Sequence, residues 1–302
     1  MYPIKRVNPD LAENIEPLGT KRKYWYREQD VRTLFKAEER GTGEDWAEKI
    51  CCELAELLGL PHVHYELAIE DGTNNPGVVC SSCVVRPESL FLGNQLMLAL
   101  DKKYPADLGP KFKVKAHTVE AVSDAVRLIS VPDERWTENV PDEANTSCGI
   151  FTGYILLDAL TANQDRHHEN WGVVWDGQTM RLAPSFDHGA ALARNLADTN
   201  RKLRLESPDP VQRVPAFAAR ARSAFYAENE TKRPMSTYHA WRAFADLNPD
   251  AAKAWQSRLA AIDRQQISAI IERIPPSRMS AICRRFTQEL IEENQKRILQ
   301  NE

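Results

Sequence analysis

LDALTANQDRHHENWGVVWDGQTMRLAPSFDHGA, residues 157–190, carries the polar groups around which the rest of the chain is read. Asp165 and Asn170 stand five positions apart in a polar stretch, and Asp187 follows a short apolar hairpin. Gly149 to Ala162 has Ile150, Phe151, Tyr154, Leu157, Asp158 and Leu160 on or near one side, which predicts a buried helix ending at Asn163. Trp171 to Trp175 and Met180 to Ala183 are apolar runs joined through Asp176 and Gly177, the mark of a β-hairpin. Loop, hairpin and aspartate in that order let three oxygen-bearing side chains converge. A phosphotransferase needs one carboxylate to orient a hydroxyl and two oxygen ligands to hold magnesium against a triphosphate, and an Asp, Asn, Asp set supplies them.

Asp165, Arg166, His167 and Asn170 form a D-R-H-x-x-N loop, and Leu182, Ala183 and Pro184 precede Phe186 and Asp187. At these residues the chain resembles the HipA-like serine/threonine kinases and, more distantly, the phosphatidylinositol kinases. The resemblance implies Asp165 as catalytic base and Asn170 and Asp187 as magnesium ligands. Asp187 is followed by His188 and Gly189 instead of Phe and Gly, so switching by a Phe flip is not expected. A D-R-H triplet alone is commonly a helix cap with surface charge, and the hairpin and second aspartate are what favour chemistry. His167 is read as packing beneath the loop, bonded to a backbone carbonyl, and as lining the nucleotide site. His168 is read as solvated.

The amino-terminal part fits the same scheme. Gly19, flanked by Thr20, Lys21 and Arg22, precedes a strand at Tyr24 to Arg27 and could cover phosphates, although one glycine also suits an ordinary turn. HipA-like kinases place a phosphate loop in this region, in some members with a hydroxyl that becomes phosphorylated, which implies Thr20. Val31 to Lys36 alternates as a strand, so Lys36 can reach α- and β-phosphates if a helix carboxylate holds its ammonium. The predicted helix Thr42 to Leu58 presents Glu48 at the head of a stripe of small residues (Cys51, Cys52, Ala55), making Glu48 the chosen partner and Glu44 the fallback. His64 to Ile69 and Gly77 to Ser81 are the next strands. In a bilobal kinase the following segment, Ser82 to Arg86 with Val84 and Val85, is the hinge whose backbone meets adenine.

Composition narrows the alternatives. With 302 residues, 42% of them hydrophobic, the chain can bury a sizeable core, and a net charge of −4 gives no reason to expect direct nucleic-acid binding. The amino terminus lacks an apolar run of signal-peptide length and no stretch is long enough to span a bilayer, so a cytoplasmic protein is expected. Six irregularly spaced cysteines are expected to be reduced, and Cys80-x-x-Cys83 lacks a second ligand pair for zinc. Ala190 to Arg222 is the most basic interval, in which Arg194 and Arg204 could hold phosphate or an acidic substrate, although a salt-bridged face explains such runs more often. From Ser236 the chain reads as helices broken at Pro249 and Pro275–Pro276, with Ser277 capping the last.

These readings predict an α+β bilobal protein-kinase-like fold: a small mixed β-sheet lobe over residues 1–86, then a larger α-helical lobe over 87–302. The cofactors implied are ATP and magnesium, and the substrate a protein serine or threonine, the chain itself included. Resemblance further implies a toxin-type kinase with an antitoxin partner, although the separate amino-terminal domain of longer members is not expected here. A metal-dependent phosphohydrolase using His167, His168, Asp187 and His188, or a nucleotide-binding pseudokinase, are the competing readings.

Overall fold

The computed structural model describes residues 1–15, 22–38, 41–106, 114–227 and 233–300. In β3 (Lys23–Glu28) and β4 (Val31–Ala37) successive side chains turn to opposite faces, and antiparallel pairing sets Lys23 opposite Lys36, Tyr24 opposite Phe35 and Trp25 opposite Leu34. One face thus carries the two lysines with Trp25 and Leu34, and the other Tyr24, Tyr26 and Phe35. β5 (Tyr65–Glu70) and β6 (Pro76–Ser81) extend the sheet antiparallel, β1 (Ile4–Val7) joins β5 in parallel, and β2 (Asn14–Ile15) closes the far edge. The order is β1-β5-β6-β4-β3-β2, a mixed sheet as expected, with β1 a strand that the sequence reading did not assign.

Helix α1 (Glu44–Leu58) lies on the lysine face, where Leu67, Val78 and Cys80 share the main core with Ile50, Leu54 and Leu58. On the opposite face Val7, Tyr24, Tyr26, Phe35, Ala37, Ala68 and Val79 make a separate apolar cluster. The helix begins at Glu44, two residues later than the sequence predicts, because Gly43 takes a left-handed backbone with φ 81° and offers no capping side chain. Glu38 supplies the cap instead, its carboxylate accepting the Thr42 and Glu44 N–H groups at 3.2 and 2.6 Å.

Past residue 86, β7 (Ser89–Leu92) pairs with β8 (Gly172–Trp175), which pairs with β9 (Met180–Leu182), so the predicted hairpin gains a third strand from far along the chain. Helices α2 (Gly93–Leu100), α3 (Val119–Arg127) and α4 (Glu134–Thr137) precede α5 (Ser147–Thr161), every residue of which is buried except Cys148. A helix apolar on all sides must be enclosed. Around it and beyond run α6 (Asp198–Glu206), α7 (Val214–Ala218), α8 (Thr237–Leu247), α9 (Pro249–Ala260), α10 (Arg264–Glu272) and α11 (Ala281–Gln300), with α8, α9 and α11 packed directly on α5. Gly153 permits this closeness, since a Cβ there would lie 2.5 Å from Leu60 and 2.7 Å from Trp255. Ser280, not Ser277, caps α11 by accepting the Cys283 N–H at 3.1 Å, because the chain still turns at Pro275 to Arg278 before the helix can start. Among the described residues no helix is long and apolar enough to cross a membrane.

Candidate active site

Asp165 and Asn170 leave the end of α5 in a loop stitched from within. Asn163 Oδ1 accepts the Asp165 N–H at 3.2 Å, and the Asp165 carbonyl accepts from the His167 N–H and Asn170 Nδ2, each at 2.7 Å. With its amide nitrogen so committed, Asn170 keeps its side-chain oxygen as the atom able to meet a cation. The Asp165 carboxylate is 38% exposed, open enough to meet a hydroxyl.

Arg166 holds this loop against the segment that carries Asp187. Its side chain is 1% exposed and forks onto Asp158 of α5 through Nε and Nη2 at 2.8 and 2.9 Å. The remaining donors reach the Asn170 carbonyl at 2.9 Å, the Phe186 carbonyl at 3.3 Å and Ser185 Oγ at 3.0 Å. One guanidinium therefore joins α5, the D-R-H loop and the residues just before Asp187. Neither Arg166 nor Asp158 is given a role in the sequence reading. An acid inside an otherwise apolar helix was the available signal, since a buried carboxylate requires a partner.

Lys36 lies between two carboxylates, 2.8 Å from Glu48 and 2.5 Å from Asp187. Glu48 is fully buried, whereas the Asp187 side chain is 34% exposed, so one carboxylate is sealed and the other faces outward. Burial alone would lower Lys36, but Asp187 and Glu48 outweigh it and hold the amine above the ordinary lysine range. Burial likewise favours a protonated Asp187, yet Lys36, followed by Lys23, holds its carboxyl well below the usual carboxylate range. Burial raises Glu48, and Lys36 offsets part of that rise. Lys23, brought onto the same face by its register with Lys36, is a residue to which the sequence reading gives no role.

Asp187 adopts φ 58°, a left-handed conformation that costs a non-glycine residue about 1 kcal/mol and is tolerated best by Asp and Asn. Two bonds hold it: its N–H donates to Tyr65 Oη at 3.2 Å, and the next N–H, of His188, donates to Glu48 Oε2 at 2.8 Å. Strain of this kind concentrates where a side chain is being aimed.

The remaining predicted residues fall in several places. Glu44, the fallback partner, pairs with Arg194 at 2.5 Å, leaving Lys36 to Glu48. Arg194 also donates to Thr42 Oγ1, and Arg204 donates to the Gln212 carbonyl at 3.1 Å, so both arginines make ties within the chain. His167 accepts the Glu169 N–H at Nδ1 (3.1 Å) where a carbonyl partner was expected, because the tight loop turns an amide toward the ring. Its Nε2 is 3.6 Å from Asp165. His168, expected in solvent, is 2% exposed and bonded to Tyr104 Oη at 3.1 Å, a partner too distant in sequence to foresee. Among the described residues His167, His168, Asp187 and His188 do not gather into a set of converging metal donors.

Ser82, Val84 and Val85 share one turn. Ser82 Oγ donates to the Val84 carbonyl at 2.9 Å and accepts its N–H at 3.3 Å, while the Val85 N–H donates to Glu88 at 2.8 Å. Gly19 and Thr20 lie outside the described residues.

A curled sheet lobe followed by a helical lobe is an arrangement that this chain shares with solved kinase structures. The chain superposes on the proinflammatory kinase CtkA of Helicobacter pylori with a TM-score of 0.71 at 19% identity, covering 97% of this chain and 96% of that one. It superposes on HipA of Shewanella oneidensis, solved with HipB and operator DNA, with a TM-score of 0.56 at 13% identity, covering 95% of this chain and 65% of that one. No family model matches the sequence, and no curated protein does.

Proposed function

We propose that the protein is an ATP- and magnesium-dependent phosphotransferase of the protein-kinase type, acting on a serine or threonine hydroxyl. The observation that carries this reading is the ammonium of Lys36 held by Glu48 and Asp187, with the Asp165 loop tied alongside through Arg166. The donor set fits the cofactor: an amide oxygen from Asn170 and a partly exposed aspartate kept ionised are hard ligands suited to magnesium. Asn170 and Asp187 would hold magnesium, which would supply positive charge to offset that of the transferred group.

Lys36 neutralises α- and β-phosphate oxygens, and Glu48 keeps it there. Asp165 accepts the proton of the acceptor hydroxyl as the new oxygen–phosphorus bond forms and the bond between the γ-phosphorus and its bridging oxygen breaks, ADP leaving with the electron pair. The backbone at 82–86 receives adenine. His167 orients Asp165 from 3.6 Å. Thr20 remains a candidate acceptor within the chain, and an antitoxin-class protein a candidate partner.

Incubation with γ-labelled ATP, magnesium and host lysate, followed by mapping of labelled sites, tests the reading. Asp165→Asn is expected to lower transfer by about 10²–10⁴-fold while ATP still raises thermal stability. Labelling that persists in Asp165→Asn, or none in the parent protein, overturns it. Label confined to Thr20 assigns self-modification.

A further inference from the structure

One turn along α1 from the residue that holds Lys36, three soft donors meet that have no part in the chemistry above. Cys52 stands one helical turn beyond Glu48, and His62 and His64 lie in the segment that leads into β5. Their donor atoms all fall within 4.8 Å of one another, the one such gathering of His, Cys, Asp and Glu donors among the described residues. We propose that Cys52, His62 and His64, with Glu56 as fourth donor, form a binding site for a borderline-soft divalent cation of the zinc class.

The spacing matches what a tetrahedral ion requires. With zinc–sulfur and zinc–nitrogen bonds of about 2.3 and 2.0 Å, neighbouring ligand atoms lie roughly 3.3–3.6 Å apart. Cys52 Sγ is 3.7 Å from His64 Nδ1, and His62 Nε2 is 3.7 Å from Glu56 Oε2. Small side-chain shifts close both edges.

His62 is already arranged as a ligand. Its Nδ1 is 2.7 Å from the Leu60 carbonyl, which fixes that nitrogen as the donor and leaves the Nε2 lone pair unprotonated, the outer-shell bond that metal-binding imidazoles usually make. The residue is 7% exposed, and its Nε2 is buried without a hydrogen-bond partner. An unanswered buried acceptor has a cost that an ion would remove. Cys52 is fully buried and accepts the Tyr65 N–H at 3.3 Å, a contact that suits a thiolate, while the exposed His64 provides access from solvent. Thiolate and imidazole together select zinc-class ions over magnesium or calcium.

The site would also act as a fastener. Val63, between the two histidines, donates its N–H to the Ser185 carbonyl at 2.9 Å, and Ser185 donates its own N–H to the Pro61 carbonyl at 2.9 Å. An ion shared by α1 and this segment therefore pins the helix that carries Glu48 to the strap that leads to Asp187.

The test uses the full chain freed of metal by a chelator and titrated with Zn²⁺ alone by calorimetry and with Co²⁺ by absorption. One equivalent is expected, with a thiolate-to-cobalt charge-transfer band and the intense visible bands of a tetrahedral ion. Cys52→Ser should abolish the charge-transfer band, and His64→Gln, an exposed change that leaves the core intact, should weaken affinity about a hundredfold or more. Asp187→Asn should leave binding as it was. The proposal is overturned if no equivalent binds, if cobalt binds without the charge-transfer band, or if His64→Gln binds as tightly as the parent. Cys52 and His64 would then be only a hydrogen-bonded pair.

Discussion

Two buried charge clusters stand a few residues apart, and they are built for opposite ends. Around Arg166 every strong donor meets an oxygen of the chain, and both Arg166 and Asp158 are almost fully enclosed. Around Lys36 one carboxylate is enclosed and the other is a third exposed. The first cluster is complete as it stands and fixes where loops go. The second leaves Asp187 able to take another ligand, which is how a site differs from a brace.

The comparison is tested most severely at Arg166. Arg166→Met should leave Asp158 facing only Asn163 and deprive two carbonyls and Ser185 of their donor, lowering stability by roughly 3–5 kcal/mol in urea unfolding. A loss below about 1 kcal/mol would show that the cluster is no brace. Lys36→Met should cost less, roughly 1–3 kcal/mol, because Glu48 keeps the His188 N–H and its raised carboxyl can take up a proton. Its larger effect should fall on phosphate transfer, and an equal loss of stability in both variants would erase the contrast.

Acid separates the two regions further. His117, beneath the loop, is fully enclosed, with Nε2 accepting from Trp171 at 3.2 Å and Nδ1 3.1 Å from the Ala224 carbonyl. Burial lowers its pKa to about 3. The unfolded chain takes up that proton below about 6.5 while the folded chain does not, so this stability is complete above 6.5 and drains as pH falls toward 3. By pH 5 the loss should be roughly 2 kcal/mol, measured as the difference in pH dependence between the parent and His117→Gln. The Lys36–Asp187 tie has its window lower. Asp187 is held below its unfolded value near 3.9, so its contribution is present above that pH and goes only as pH falls through the depressed folded value. The smallest effect is expected at Gly189, where a Cβ would sit 3.3 Å from Glu48 Oε1. Gly189→Ala should cost about 1 kcal/mol, read as a small shift in the unfolding midpoint.

What the sequence made visible followed from short-range regularities. Aromatic content marked β3, alternation marked β4, a turn-rich segment set off β5 and β6, the Asp176–Gly177 turn marked the hairpin, and helical spacing placed Glu48 where Lys36 meets it. What stayed hidden depends on partners far along the chain. β7 is a strand only because β8 lies beside it, and His168 is buried only because Tyr104 returns from 64 residues away. Arg166 looked like part of a motif, and its work as a clamp needs Asp158, Ser185 and Phe186 to be assembled first. Lys23 shares a face with Lys36 through strand register, which single-strand patterns do not reveal.

Glu48 grips the amine of Lys36 with one oxygen and the backbone just past Asp187 with the other. A helix that swung outward would drag on both at once, so the buried lysine and the strained aspartate share a single mechanical lever. Any partner that displaces α1 would disturb both groups together.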